Sequence, residues 1–156
     1  MSVLLTASLS AALPLSAASH VDVVKMRTEN RVNPLGIGTS TPRFSWQITS
    51  DRKGVVQTSY QILVASSREK LDRNEADLWD SGERNSDEQL WIPYQGKALL
   101  SGAQAYWKVR ITTNKGKSEW TEPQLFTIGL LGETKWSGTW IGLEDLQPGE
   151  QKGMHT

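Results

Sequence analysis

The chain has 156 residues, 17 basic and 17 acidic side chains, a formal net charge of zero and no cysteine. That length suits one domain of ordinary size, and a sandwich of about 110 residues would bury roughly two-thirds of its unfolded surface. The charge balance removes any electrostatic reason to expect nucleic acid or an anionic membrane as partner. Without cysteine there is no disulfide, no thiol nucleophile and no lipid anchor on cysteine.

Residues 1–18 carry no charged side chain. Val3-Leu4-Leu5 through Leu13-Pro14-Leu15 is an apolar run rich in Ala and Ser, and Ser16 and Ala18 supply the small residues of an A-x-A-like cleavage site. The expectation is a secretory signal. The run lacks the Lys or Arg that normally opens one, which a start codon assigned too late would explain. The alternative is an N-terminal arm, disordered or tucked against the domain. The run is too short and too Ser-rich for a transmembrane helix.

From residue 21 onward the pattern is that of strands. Phe44, Trp46 and Ile48 alternate with Arg43, Ser45, Gln47 and Thr49. Tyr60, Ile62 and Val64 alternate with Ser59, Gln61 and a less polar Leu63. Trp107, Val109 and Ile111 alternate with Lys108, Arg110 and Thr112, and Phe126, Ile128 and Leu130 share one parity. A period of two places one face on a core and the other in water. Strand-like runs begin near 21, 43, 58, 77, 88, 105 and 123. Turn signals separate them at Asn33-Pro34, Asp51-Arg52-Lys53-Gly54, Ser81-Gly82, Gln95-Gly96, Ser101-Gly102 and Asn114-Lys115-Gly116. The expected fold is all-β: an antiparallel sandwich of about seven strands in two sheets. Its core should hold Phe44, Trp46, Tyr60, Ile62, Val64, Leu90, Ile92, Trp107, Val109, Ile111 and Phe126. One helical interruption is expected at Ser66-x-x-Glu69, a capping box with only Leu71 to anchor it. Residues 144–156 are polar and aperiodic and read as a loose tail.

Five phrases occur in order: Asn33-Pro34-Leu35-Gly36-Ile37, Pro42-Arg43-Phe44-Ser45-Trp46, Tyr60-Gln61-Ile62-Leu63-Val64-Ala65-Ser66-Ser67, Leu78-Trp79-Asp80-Ser81-Gly82 and Tyr106-Trp107-Lys108-Val109-Arg110-Ile111. Together they make residues 21–143 resemble the N-terminal region of bacterial α-L-rhamnosidases, inverting glycoside hydrolases that remove terminal rhamnose. The resemblance implies a fibronectin type III or immunoglobulin-like module over 19–131. It implies a linker and the start of a missing next domain over 132–156, where Trp136 and Trp140-Ile141-Gly142 match a W-x-x-x-W-I-G stretch. It implies that catalysis belongs to a later helical barrel, so no catalytic residue is carried over. The chain then reads as the front end of such an enzyme, a gene fragment or truncated frame, exported to the periplasm or outside a bacterial cell. Its partners would be the neighbouring domains and rhamnosylated glycans, with no nucleic acid, no membrane once the signal is removed, and no cofactor. The other reading is a stand-alone exported carbohydrate-binding or protein-interaction module. Tyr106 departs from the fold's usual pattern: it is out of phase with Trp107, Val109 and Ile111. Either a bulge intervenes, or Trp107 starts the core-facing set and Tyr106 sits at the edge.

Carboxylates cluster at Asp72, Glu75, Asp77 and Asp80. A glycosidase pair must converge on a pocket that separates the two pKa values, and a calcium loop needs regularly alternating oxygen ligands. This segment has neither pattern and reads as a solvated surface. His20 and His155 lie at opposite ends of the chain and form no metal-ligand spacing. Of the seven tryptophans, Trp46 and Trp107 take core positions and Trp79 plugs the sandwich edge. Ser118-Glu119-Trp120-Thr121 resembles the S-x-W-S segment of fibronectin type III-like modules, which implies that Trp120 stacks on Lys108 and Arg110, both on the outward parity of their strand. Trp91 has opposite parity to Leu90 and Ile92 and is the best exposed candidate. It is joined by Trp136 and Trp140 as a contact for carbohydrate or a neighbouring domain. No metal site and no cofactor site is expected.

Overall fold

In the computed structural model, which describes residues 20–132, the alternating runs become two sheets. The elements are β1 (Val21–Thr28), β2 (Arg43–Ser50), β3 (Gln57–Ala65), α1 (Arg68–Asp72), β4 (Trp79–Asp80), β5 (Arg84–Asn85), β6 (Ile92–Pro93), β7 (Gln104–Thr113), β8 (Gly116–Lys117) and β9 (Gln124–Thr127). One sheet has the order β1-β2-β6. The other is built on β3 and β7, which pair antiparallel from Gln57 with Thr113 to Ala65 with Tyr106. Strands β4 and β5 share the free edge of β3. Strands β8 and β9 share the free edge of β7. Each of these pairs is one broken strand, so the described sandwich has three lines in one sheet and four in the other, in keeping with the seven runs of the sequence.

What bridges the breaks is hydroxyl chemistry. The Ser81 N–H donates to the Ile62 carbonyl at 3.0 Å, and its Oγ accepts the Ile62 N–H at 2.8 Å. Ser118 repeats this on Ile111, at 2.9 and 3.1 Å, and Thr121 on Val109, at 3.1 and 3.0 Å. A buried backbone N–H must find an acceptor. Where the edge strand pulls away, the side-chain oxygen supplies it.

Phe44, Trp46, Tyr60, Ile62, Val64, Ile92, Trp107, Val109, Ile111 and Phe126 are all buried, as their shared parity requires. Phe44 is central: its ring lies 4.4 Å from Trp107, 5.8 Å from Phe126 and 6.3 Å from Trp79, centroid to centroid. Trp46 packs edge-on to Tyr60 at 5.3 Å, and its indole N–H donates to Gln57 Oε1 at 3.1 Å. Gln57 in turn donates to the carbonyls of Ser86 and Glu88, so this buried amide is satisfied.

Leu90, placed in the core by its parity, is instead 65% exposed. The reason is Trp91, whose φ of 59° lies in the left-handed region and breaks the alternation. Its N–H donates to Ser45 Oγ, and only Ile92 and Pro93 pair with β2. Leu130 is also exposed despite sharing parity with Phe126 and Ile128. Strand β9 ends at Thr127, and Ile128 bridges to Ile37 instead.

The second sheet has a covered outer face. Leu63, Ala65 and Leu71 form a small second core with Ala76, Tyr106 and Trp120 packed on it. Leu71 is the buried anchor of α1, as expected, but the cap is Ser67, whose Oγ accepts from the Lys70 N–H. Ser66 is taken by Asp77, which accepts from its N–H at 2.9 Å and its Oγ at 2.7 Å. Tyr106 belongs to this outer layer, so Trp107 does start the core-facing set. The tyrosine that secures backbone is Tyr94, donating to the Lys97 carbonyl at 2.7 Å. Between them, Gly96 lies so close to Trp79 that an added Cβ would stand 2.4 Å from the Trp79 Cβ.

The Asn33-Pro34-Leu35-Gly36-Ile37 phrase is a strap beside β9. Asn33 Oδ1 accepts the Leu125 N–H, the Pro34 carbonyl accepts the Thr127 N–H, and the Ile37 N–H donates to the Thr127 carbonyl at 2.8 Å. A Cβ on Gly129 would meet the Gly36 oxygen at 3.0 Å, so any larger residue there would have to push the strap outward by a few tenths of an ångström. The expected signal at 1–18 and the tail beyond Gly132 lie outside the described residues.

Candidate functional site

Trp91 remains the best aromatic candidate. Its left-handed backbone turns the indole outward, and it is 42% exposed. The Arg43 guanidinium carbon stands 4.2 Å from the ring centroid, within the range of a cation–π contact. Arg43 is itself held flat by Glu29. Its Nε donates to Glu29 Oε1 at 3.1 Å and its Nη2 to Oε2 at 2.8 Å, while its backbone N–H reaches Oε1 at 2.8 Å. The Arg43 hydrogen bonds hold the Glu29 carboxyl below the usual carboxylate range, against the opposing effect of partial burial. The two-pronged geometry fixes the guanidinium plane as well as its position.

Beside this stack lies an open cleft of about 660 Å³, lined by Glu29, Arg31, Thr39, Thr41, Arg43 and Pro93 among others. The pattern of outward residues on β2 exposes Arg43 to a sequence reading. Glu29 has no such signal, because it lies in the turn after β1 and meets Arg43 only when β1 and β2 pair. Indole face, guanidinium and threonine hydroxyls together form a surface that can touch the apolar face of a sugar or a neighbouring protein. They supply no nucleophile with its base. Trp136 and Trp140, the other two candidates, lie outside the described residues.

Three members of the acidic cluster, Glu75, Asp77 and Asp80, have separate local partners. Burial acts to raise the Asp77 pKa, but Lys70 Nζ at 2.6 Å and the Ser66 N–H and hydroxyl hold it down at about 2. Glu75 pairs with Arg73 at 2.9 Å. Asp80 Oδ1 accepts from Gln61 Nε2 and from the Gly82 N–H. Among the described residues, no group of three or more His, Asp or Glu side chains is placed to hold a metal ion. His20 makes an exposed pair with Asp22, and His155 lies outside the described residues.

Trp120 takes the position expected of it. Arg110 lies 4.4 Å from its ring centroid and Lys108 Nζ 5.2 Å. Lys108 is more than an outward strand residue, however. It is buried under α1, where its Nζ donates to the Leu71 carbonyl and to Asn74 Oδ1, the latter at 2.7 Å. Burial pushes its pKa below the usual lysine value. This cluster locks helix to sheet.

A family model described as the Rha78A-like N-terminal immunoglobulin domain matches residues 23–132. An α-L-rhamnosidase of Formosa agariphila is 39% identical over 127 residues, which are 80% of this chain and 13% of that protein. The solved α-L-rhamnosidase of Streptomyces avermitilis, complexed with L-rhamnose, superposes with a TM-score of 0.73 at 36% identity, covering 79% of this chain and 12% of that one. That of Dictyoglumus thermophilum gives 0.72 at 35% identity, covering 79% and 14%. The chain therefore spans roughly an eighth of the length of these relatives, and the family it matches is that of their N-terminal immunoglobulin-like domain.

Proposed function

This chain belongs to the family of Rha78A-like N-terminal immunoglobulin domains, and from that membership we propose that it serves as a non-catalytic accessory module of an α-L-rhamnosidase. Hydrolysis of rhamnosides would be the work of another domain, with this sandwich packing on its neighbours and stabilising the assembly. The observation that carries the reading is that the family match runs through nearly the whole described sandwich, 23–132. A sandwich fold by itself would not support it, since such folds serve many functions. The site chemistry agrees: Glu75, Asp77 and Asp80 are held by separate local partners rather than aimed at one pocket. The charge-free run of residues 1–18 supports export with a cleaved signal, which amino-terminal sequencing of the secreted product tests.

The purified chain should release no aglycone from an aryl α-L-rhamnoside, while a relative whose matching segment is replaced by this chain should keep its hydrolysis. Turnover by the chain alone would overturn the module reading. A second reading is favoured by one observation, the exposed indole of Trp91 set on Arg43 beside a hydroxyl-lined cleft. A carbohydrate-binding module would show saturable heat on titration with L-rhamnose or rhamnosylated oligosaccharides, lost in Trp91→Ala.

A further inference from the structure

Two segments at the cleft beside Trp91 hold their backbone in the left-handed region. Thr28 and Arg31 close a two-residue hairpin, each N–H donating to the other's carbonyl at 2.9 Å, and its central residues Glu29 and Asn30 have φ of 49° and 63°. Such a turn needs positive φ at both centres, where Asn, Asp and Gly are the usual residues and Glu is not. Trp91, against the Arg43 guanidinium, has φ 59°. A Glu or a Trp in this region persists only where the surroundings over-determine it. Here both hold the same guanidinium, Glu29 by its two oxygens and Trp91 by its ring. One wall of the cleft is thereby fixed before any ligand arrives.

The charge of the cleft is unbalanced. Glu29 is the one acidic side chain among the described residues that line it, and Arg43 takes both its oxygens. Arg31, the second cation of the lining, is exposed, and its guanidinium has no hydrogen bond or ion pair among the described residues. Thr39 and Thr41 set two hydroxyls 3.4 Å apart, and Pro93 adds an apolar face. A free guanidinium takes a carboxylate by a two-pronged contact, and hydroxyls both give and accept hydrogen bonds from other hydroxyls. The volume of about 660 Å³ lies within the roughly 300–1,000 Å³ usual for small-molecule sites. Among the described residues of the lining there is no cluster of large aromatic side chains such as centres a protein interface.

We propose that this cleft binds an acidic saccharide, a sugar ring bearing a carboxylate, with Arg31 taking the carboxylate and Thr39 and Thr41 the ring hydroxyls. The inference rests on the carbohydrate-binding reading of Trp91 and narrows it to uronate-bearing glycans. The test titrates the full chain with sodium D-glucuronate, D-glucose and L-rhamnose, following the backbone amide resonances of Arg31, Gly38 and Thr39. Glucuronate should shift them saturably and bind about tenfold more tightly than glucose. Arg31→Gln should weaken glucuronate about tenfold and leave glucose unchanged. Arg52→Gln, in the exposed turn beyond the other end of β2, should change neither. The Arg31 side chain has no partner to lose, so the unfolding midpoint of Arg31→Gln should match that of the parent. Equal affinity for glucuronate and the neutral sugars, or a glucuronate affinity untouched by Arg31→Gln, overturns the inference and leaves the carbohydrate reading standing. No shift with any of the three sugars overturns both. Sodium acetate competing at the same concentration as glucuronate would show a plain carboxylate site, one that an acidic side chain of a neighbouring domain could fill, and would also overturn the inference.

Discussion

Trp107 and Trp91 carry the same side chain in the same sandwich, yet one is fully buried and the other 42% exposed. Trp107 lies on β7, a ten-residue strand with hydrogen-bonded neighbours on both sides, β3 and β9. Trp91 precedes a two-residue strand paired on one side only, and its own backbone is left-handed. The β3 ladder on one side, and β9, β8 and the Thr121 and Ser118 bridges on the other, hold β7 extended, so parity decides which face each side chain takes. Before this short edge strand no continuous ladder enforces extension, and one residue at positive φ reverses the pattern for its neighbour Leu90.

The sharpest way to break this contrast is to truncate the buried member. Trp107→Ala should cost about 3–5 kcal/mol in denaturant unfolding, as a shifted midpoint at constant slope. A shift near that of a surface substitution would remove Trp107 from the core. Next in size is the hydroxyl repair beside the same strand. Ser118→Ala leaves the buried Ile111 N–H without its side-chain acceptor and should cost about 1–3 kcal/mol. Ser118→Thr keeps an acceptor and should cost less; equal losses in the two variants would show that the hydrogen bond is not what matters.

A smaller effect tests the outer layer. Lys70 and Ser66 hold the Asp77 pKa down at about 2 in the folded chain, against burial and below the ordinary aspartate value of about 3.9. The sign follows from linkage: the stabilisation is present above the unfolded value and is lost as pH falls from about 4 to 2. The pair is about one-third exposed, so screening reduces it to about 1 kcal/mol. Asp77→Asn should therefore be less stable than the parent at neutral pH and converge with it near pH 2. The smallest change is expected at the exposed tryptophan. Trp91→Gly relieves a strained φ at about 1 kcal/mol and gives up the Arg43 stack at about 0.5–1 kcal/mol. The two nearly cancel, so stability should move by less than about 0.5 kcal/mol. A loss on the scale of Trp107→Ala would show that the edge is as constrained as the centre.

The same distinction governs what could be read in advance. The core of β2, β3 and β7 was legible, because Trp46, Ile62 and Val109 sit in long alternating runs. So were the Trp120 stack on Lys108 and Arg110, two residues of one parity on β7, and the departure of Tyr106 from the core phase. Leu90 was misplaced because a non-glycine residue at positive φ leaves little trace in composition. Glu29 was missed as the partner of Arg43 because their meeting depends on strand pairing. Ser67 displaced Ser66 as the helix cap because Asp77, eleven residues from Ser66, competes for that side chain.

By itself, then, the sequence determined the two-sheet antiparallel class, most of the core and the family resemblance. All three rest on local periodicity and on phrases that survive without any knowledge of contacts. Only the tertiary structure decided that Lys108 is buried beneath a helix, that Ser81, Ser118 and Thr121 patch broken ladders, and that Asn33 through Ile37 straps β9. Each depends on groups distant along the chain meeting in space, where an unpaired N–H, a covered face or a close backbone approach sets the cost.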